Sequence, residues 1–225
     1  MSSRILIKLL PLLLIAAVSG YAASDGPDSN AKTTLIGIQV PDQPWDGIDE
    51  QTRARIEAGE IVILNEVEGK KSRKALIRTM LTFNVPLEET WRVLAQVDTQ
   101  KEYLPRVDYC QLVDEGPRMK NVEFVVDATL IKVRYRVIHR FNPEENFFDW
   151  YLDPDFKNEL KRVDGFWKLY ALSPQKTLAR YGTRVNTGRM VPGWLERFFA
   201  KRDIPKALDA VRKRVESGGT WKRSD

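Results

Sequence analysis

The stretch "LIKVRYRVIHRF", residues 130–141, carries apolar or ring-bearing side chains at Ile131, Val133, Tyr135, Val137, His139 and Phe141. Lys132, Arg134, Arg136 and Arg140 alternate with them. Spacing by two puts the two sets on opposite faces of a β-strand, the cationic set toward water. The rhythm recurs upstream. Ile77, Thr79, Leu81, Phe83 and Val85 share one face of "ALIRTMLTFNV"; Val122, Phe124, Val126, Ala128 and Leu130 share one face of "NVEFVVDATL". "VDYCQLVDEG", "FFDWYLD", "LKRVDGFWKLYAL" and "TLARYGTRVNTG" complete seven strands, parted by short turn sequences such as "NPEEN" and "SPQK". No helix-sized segment interrupts 107–188, which excludes a doubly wound parallel sheet and predicts an antiparallel meander.

Helical segments appear in four places. Pro86 suits the first turn of a helix over "LEETWRVLAQV", with Leu87, Trp91 and Leu94 on one side. "DTQKEYLP" reads as a second short helix ended by Pro105. At the C-terminus, Trp194, Phe198, Leu208, Val211 and Val215 form a helical stripe. Pro205 lies inside it and predicts a kink or break near Asp203–Pro205. Gly218 and Gly219 stop it. Upstream, "DEQTRARIEAG" predicts a short helix with Asp49 at its start and Gly59 at its stop. "EIVILNEV" predicts a strand, "EGKKSRKA" a charged loop, and "SDGPDSNAKTT" a flexible leader.

The first residues have a different character. Arg4 and Lys8 precede "LLPLLLIAAVSGYAA", a short apolar run ending in small residues. This is the form of a signal peptide over 1–23, with cleavage after Ala22 or near Ser24, and it implies a periplasmic or secreted protein. An uncleaved anchor is the other reading.

Composition adds bounds. The 225 residues are 43% hydrophobic and 30% charged, enough for one domain with a substantial core. Without Arg4 and Lys8 the charge falls from +5 to +3, a mild excess that does not indicate a nucleic-acid partner. Cys110 is the only cysteine, so no internal disulfide forms, and it reads as a small buried apolar residue. His139 is the only histidine. One His and one Cys do not suggest a zinc site. The chain shows no phosphate loop, dinucleotide fingerprint or nucleophile elbow, so no cofactor is expected.

A twisted sheet of this size curls, and one helix laid across its concave side leaves space for a pocket. The order of elements, with "VPLEETWRVLAQVDTQKEYLPRV", "DGFWKLYAL", "TLARYGTRVNTG" and "VPGWLERFFAKRDIPKALDAVRKRVE", resembles the START-like (SRPBCC) superfamily, in its polyketide cyclase and coenzyme Q-binding branch. The resemblance frames about residues 75–216. It implies an α+β helix-grip fold, a curved antiparallel sheet wrapped around a long C-terminal helix. The expected organisation is a signal peptide (1–23), an N-terminal extension (24–74), the ligand-binding domain (75–217) and a tail (218–225).

Candidate ligand-binding residues are Tyr103, Phe124, Val126, Val133, Tyr135, Val137, His139, Tyr181, Trp194 and Phe198. Tyr109, Trp150 and Trp167 complete the aromatic inventory, though apolar residues on both faces leave the two tryptophans unoriented. His139 reads either as a pocket hydrogen-bond partner or acid/base, or as a core histidine satisfied by backbone or a tyrosine. The row of Lys132, Arg134, Arg136 and Arg140, with Arg180 and Arg184, reads as a solvated face or a site of transient contact with an anionic membrane. Arg212–Arg214 read the same way. The expected function is binding and carriage of a hydrophobic small molecule or lipid (an isoprenoid, quinone or acyl chain). A cyclase or dehydratase using the same cavity and a protein-interaction module are the alternatives.

Overall fold

The computed structural model describes residues 32–33, 37–64, 76–127, 131–188 and 193–224, by backbone alone at 32–33 and 193–202. The proposed signal segment, the loop "EGKKSRK" and the expected inward residues Ala128 and Leu130 lie outside the described residues.

The alternating segments become strands. β1 (Lys32–Thr33) and β2 (Gln39–Val40) form a small ladder, α1 spans Glu50–Glu57, and β3 (Val62–Ile63) precedes β4 (Ile77–Phe83). α2 (Leu87–Leu94) and a 3-10 helix (Val97–Glu102) follow. Then come β5 (Val107–Gly116), β6 (Met119–Asp127), β7 (Lys132–Asn142), β8 (Phe147–Leu152), β9 (Arg162–Ser173) and β10 (Lys176–Asn186). α3, Gly193–Glu216, ends the sequence of elements. The eight-stranded sheet runs β3-β4-β10-β9-β8-β7-β6-β5, every pair antiparallel. Register shifts in β5 and at the start of β10 are bulges, which bend a strand and sharpen its twist.

Several expectations need correction. Of "EIVILNEV", residues 60–64 are described, and among them the strand covers Val62–Ile63. Lys32–Thr33, assigned to the leader, pairs with Gln39–Val40. Ile131 is not part of the inward row: it precedes β7 and is 41% exposed. Pro86 caps α2 rather than filling its first turn. Pro205 does not break α3, which continues through it. α1 starts as expected, the Asp49 carboxylate accepting from the Thr52 backbone at 2.8 Å.

The cationic face is not simply wet. Glu123, buried on that face, accepts from Arg134 at 2.7 Å and Arg136 at 2.8 Å. Burial opposes ionisation of Glu123, but these hydrogen bonds outweigh it and hold the carboxyl below its usual range. At Asp149 the balance reverses. Burial outweighs the fork from Arg140 (2.9 and 2.6 Å) and raises its pKa. Asp164 takes Arg184 at 2.7 Å and also Arg162.

Near β9 and β10 the outer face is covered by chain 38–64. Ile56 and Val62 pack with Met80, Tyr170 and Leu178, and Ile38 and Val40 with Leu76 and Phe166. Arg180, expected in solvent, is buried and donates to the Pro44 carbonyl at 3.2 and 3.0 Å and to that of Asp46. Tyr170 donates to the Pro41 carbonyl, and Lys176 to that of Glu57 at 2.9 Å. Arg214 is likewise buried, donating to Glu102 and to the Trp221 carbonyl, both at 2.9 Å. The principal core lies on the other face, where Leu208, Val211 and Val215 of α3 join residues of the sheet, α2 and the 3-10 helix.

Candidate functional site

Register explains how the inner face is assembled. Residues paired across neighbouring strands stand in rows. One row runs Phe141, Phe148, Trp167, Tyr181 and Thr79. The next runs His139, Trp150, Gly165 and Thr183. Beyond it stand Val122, Val137 and Leu152, then Cys110, Phe124 and Tyr135, then Val107, Val126 and Val133.

The rings join into a belt. Tyr135 stacks on Phe124 with centroids 5.6 Å apart, Phe124 lies 6.5 Å from His139, and His139 lies 6.1 Å from Trp150. Trp150 continues to Tyr181 at 5.9 Å, and Tyr181 to Trp167 at 4.7 Å. Trp91 of α2 meets Phe148 edge-on at 5.8 Å. Gly165 makes room for this arrangement. A Cβ there would stand 2.3 Å from Trp150 Cζ2, so only glycine lets the indole cross β9.

The belt mixes fully buried and half-buried rings. Phe124 and His139 are buried, whereas Tyr135, Phe141, Trp150 and Tyr181 keep accessible surface. Yet the hydroxyls of Tyr135 and Tyr181 are deeply desolvated. Burial pushes both phenols up, Tyr181 to about 12 with Thr183 pulling the other way. Two fully buried polar atoms on this face have no partner among the described residues. Thr79 Oγ1, on the strand beside Tyr181, is one, and His139 Nδ1 is the other. Burial drives the His139 pKa down to about 3, against a hydrogen bond to the Lys120 backbone, so the ring is neutral at ordinary pH.

The other candidates sort as follows. Val133 and Val137 are buried in the principal core, and Val126 is half-buried against it. Tyr103 is 4% exposed, with the Arg214 guanidinium over its ring at 5.4 Å. Trp194 and Phe198 lie on α3, where only the backbone is described. Tyr109 is a correction: it points outward, 38% exposed, and its hydroxyl meets Gln111. His139 is buried, with Nδ1 lacking a partner among the described residues. Cys110 is buried, donates weakly to the Val97 carbonyl at 3.4 Å, and has its thiol pKa pushed up to about 11 by burial. Sequence reasoning left Trp150 and Trp167 unplaced and passed over Thr79 and Trp91. The signal for Trp150 was Gly165, a glycine inside a strand, which marks a close approach. Among the described residues no group of three or more His, Cys, Asp or Glu converges to hold a metal.

Residues 75–216 match the profile of the family described as polyketide cyclase / dehydrase and lipid transport. The chain belongs to this family. Solved structures with the START-like fold superpose on it. A STAR-related lipid transfer protein fragment from Xanthomonas axonopodis matches at TM-score 0.58 and 13% identity, over 70% of this chain and 98% of its own. The ZhuI aromatase/cyclase from Streptomyces sp. R1128 matches at 0.54 and 17%, over 63% and 93%. A START superfamily protein from Mycobacterium smegmatis matches at 0.53 and 16%, over 63% and 97%. At these identities the likeness is one of fold. No curated protein matches the chain by sequence. In this cyclase and lipid-transport family member, the aromatic belt lies wholly within the matched region, whereas the covering segment 38–64 lies outside it.

Proposed function

We propose that this protein binds a hydrophobic small molecule between the inner sheet face and α3, and carries or shields it rather than transforming it. The observation that carries the reading is the set of half-buried rings, Tyr135, Trp150 and Tyr181, side by side on the inner sheet face, with the Tyr135 and Tyr181 hydroxyls desolvated. In this reading the sheet wraps around α3. A lipid crossing water must cover its apolar surface, worth roughly 25 cal/mol per Å². Family membership supports a hydrophobic ligand. Carriage is favoured over cyclase-type chemistry by His139. A ring with its pKa near 3 is a feeble general base, because catalytic bases work best near the operating pH. The export reading rests on the pattern of residues 1–23 alone, and N-terminal sequencing of the exported protein should return Ala23 first. The test of function is mass spectrometry of organic extracts from gently purified protein, with titration of a fluorescent hydrophobic probe. One apolar molecule recovered per chain, unchanged after incubation, supports carriage. A recovered molecule that the protein converts to product supports the enzyme reading. No recovered molecule and no probe binding would show a filled core, as in an interaction module.

A further inference from the structure

Polar groups without a protein partner on the inner face differ in what can reach them. Thr79 Oγ1 and His139 Nδ1 are sealed from solvent. The Tyr135 hydroxyl makes no hydrogen bond among the described residues, and it is not one of the sealed atoms. Its residue keeps accessible surface. Register explains why. On its β6 side Tyr135 stacks on Phe124, with 21° between the ring planes. On its other side β8 has already ended, at Leu152 opposite Val137, so no strand residue of β8 pairs with Tyr135.

A tyrosine hydroxyl away from bulk water usually finds a partner, and leaving one unpaired is costly. The neighbours that register supplies offer none. Cys110 and Phe124 share its row, and Val122, Val126, Val133 and Val137 flank it on the same face. The Cys110 thiol already points to the Val97 carbonyl. These side chains carry no charge. Burial holds the Tyr135 phenol well above its ordinary pKa, so it keeps its proton and can donate. A carboxylate brought to this point would be stripped of water among apolar side chains with no cation beside it. An uncharged acceptor carries no such penalty.

We propose that Tyr135 is the polar anchor of the site: its hydroxyl donates to an uncharged carbonyl oxygen (of a ketone, ester or amide) on an otherwise apolar ligand, which makes Tyr135 a specificity-determining residue. This rests on the binding reading above and adds the polar half of the ligand's chemistry. The probes are 2-acetylnaphthalene, which carries the carbonyl, 2-ethylnaphthalene, which keeps the shape without it, and 2-naphthoate, which carries a charged acceptor. They are titrated against the intact protein, Tyr135→Phe, which removes the hydroxyl alone, and Tyr109→Phe, an outward-facing control. The two neutral probes differ in hydrophobicity, so the quantity read is the ratio of their affinities. Loss of one net hydrogen bond should lower the acetyl-to-ethyl ratio roughly fivefold to tenfold in Tyr135→Phe. Ethylnaphthalene affinity should stay unchanged there, and Tyr109→Phe should keep the original ratio. Naphthoate should bind the intact protein more weakly than acetylnaphthalene. In ligand-free protein Tyr135→Phe should unfold at the same or a higher denaturant concentration, because no protein hydrogen bond is lost. If the ratio is the same in Tyr135→Phe, the proposal is overturned while the hydrophobic site stands. Tighter binding of naphthoate than of acetylnaphthalene overturns the uncharged acceptor. A Tyr135→Phe protein that is destabilised or fails to fold shows that the hydroxyl serves the fold, and this overturns the proposal as well. If neither neutral probe binds the intact protein, the binding reading itself fails and takes the proposal with it.

Discussion

Protonating His139 means placing a charge in the middle of an aromatic cluster, and this makes stability depend on pH in a definite direction. The folded pKa is about 3 against an ordinary value of 6.5. Above pH 6.5 both folded and unfolded states are neutral, and the group contributes nothing. Below 6.5 the unfolded chain takes up a proton that the folded chain refuses, so stability falls as pH drops toward 3. The slope approaches about 1.4 kcal/mol per pH unit once the unfolded imidazole is fully charged. Denaturant unfolding at pH 7 and pH 5 should show a loss that is smaller in His139→Phe than in the unaltered protein. Equal losses would mean that the ring reaches water. A second contrast separates wall from core. Phe124, 3% exposed, is packed on all sides, and Phe124→Ala should cost about 3–5 kcal/mol. Its stacked neighbour Tyr135 keeps an open side, so Tyr135→Ala should cost clearly less in ligand-free protein yet weaken probe binding. Equal costs with unchanged binding would make Tyr135 ordinary core.

At the level of elements, legibility follows from how many faces of a strand are buried. β7 alternates cleanly because its outer face carries arginines, and its inward set was readable down to His139. β9 is apolar on both sides, with Trp167 and Leu169 inward and Phe166 and Tyr170 outward, all buried. The reason is chain 38–64, which covers the outer face there. A strand buried on both faces loses its period, and no sequence pattern could orient Trp167 without knowledge of that cover. The same cover hid the role of Arg180. Its side chain reads as one more exposed cation, but it ties β10 to the carbonyls of Pro44 and Asp46. The carboxylate partners of the neighbouring arginines were invisible for a related reason, since Glu123 and Asp149 meet Arg134 and Arg140 only through register. Arg180→Ala leaves two carbonyls without their donor and should cost about 1–3 kcal/mol. It should also speed hydrogen exchange in residues 38–48. Unchanged exchange there would show that apolar packing alone holds the segment.

For the molecule as a whole, the sheet separates two environments that do different work. The inner side carries the aromatic belt and the proposed ligand. The outer side is closed partly by arginine–carboxylate pairs over β6 to β8 and partly by chain 38–64 over β4, β9 and β10. The family profile begins at residue 75 and so describes a unit that lacks this second cover. Cut there, the unit would present Met80, Leu178, Tyr170 and Phe166 to water, four side chains that are 8% exposed or less in the intact protein. Large contiguous apolar patches on a free surface promote aggregation. Arg180 would lose its carbonyl partners, and Arg212 its bond to the Gly59 carbonyl at 2.9 Å, the point where the N-terminal segment reaches α3. The ligand face would be untouched in sequence but would rest on a weakened sheet. A chain beginning at Ala75 should therefore be less soluble and unfold at a lower denaturant concentration than one beginning at Ser24. Removing the outer cover while leaving the belt intact should lower probe affinity only as far as it lowers the folded fraction. Restoring folding with a stabilising osmolyte should then restore binding. If the shorter chain matches the longer one in unfolding midpoint and solubility, the N-terminal segment is an appendage, and the sheet holds its shape from the inner core alone.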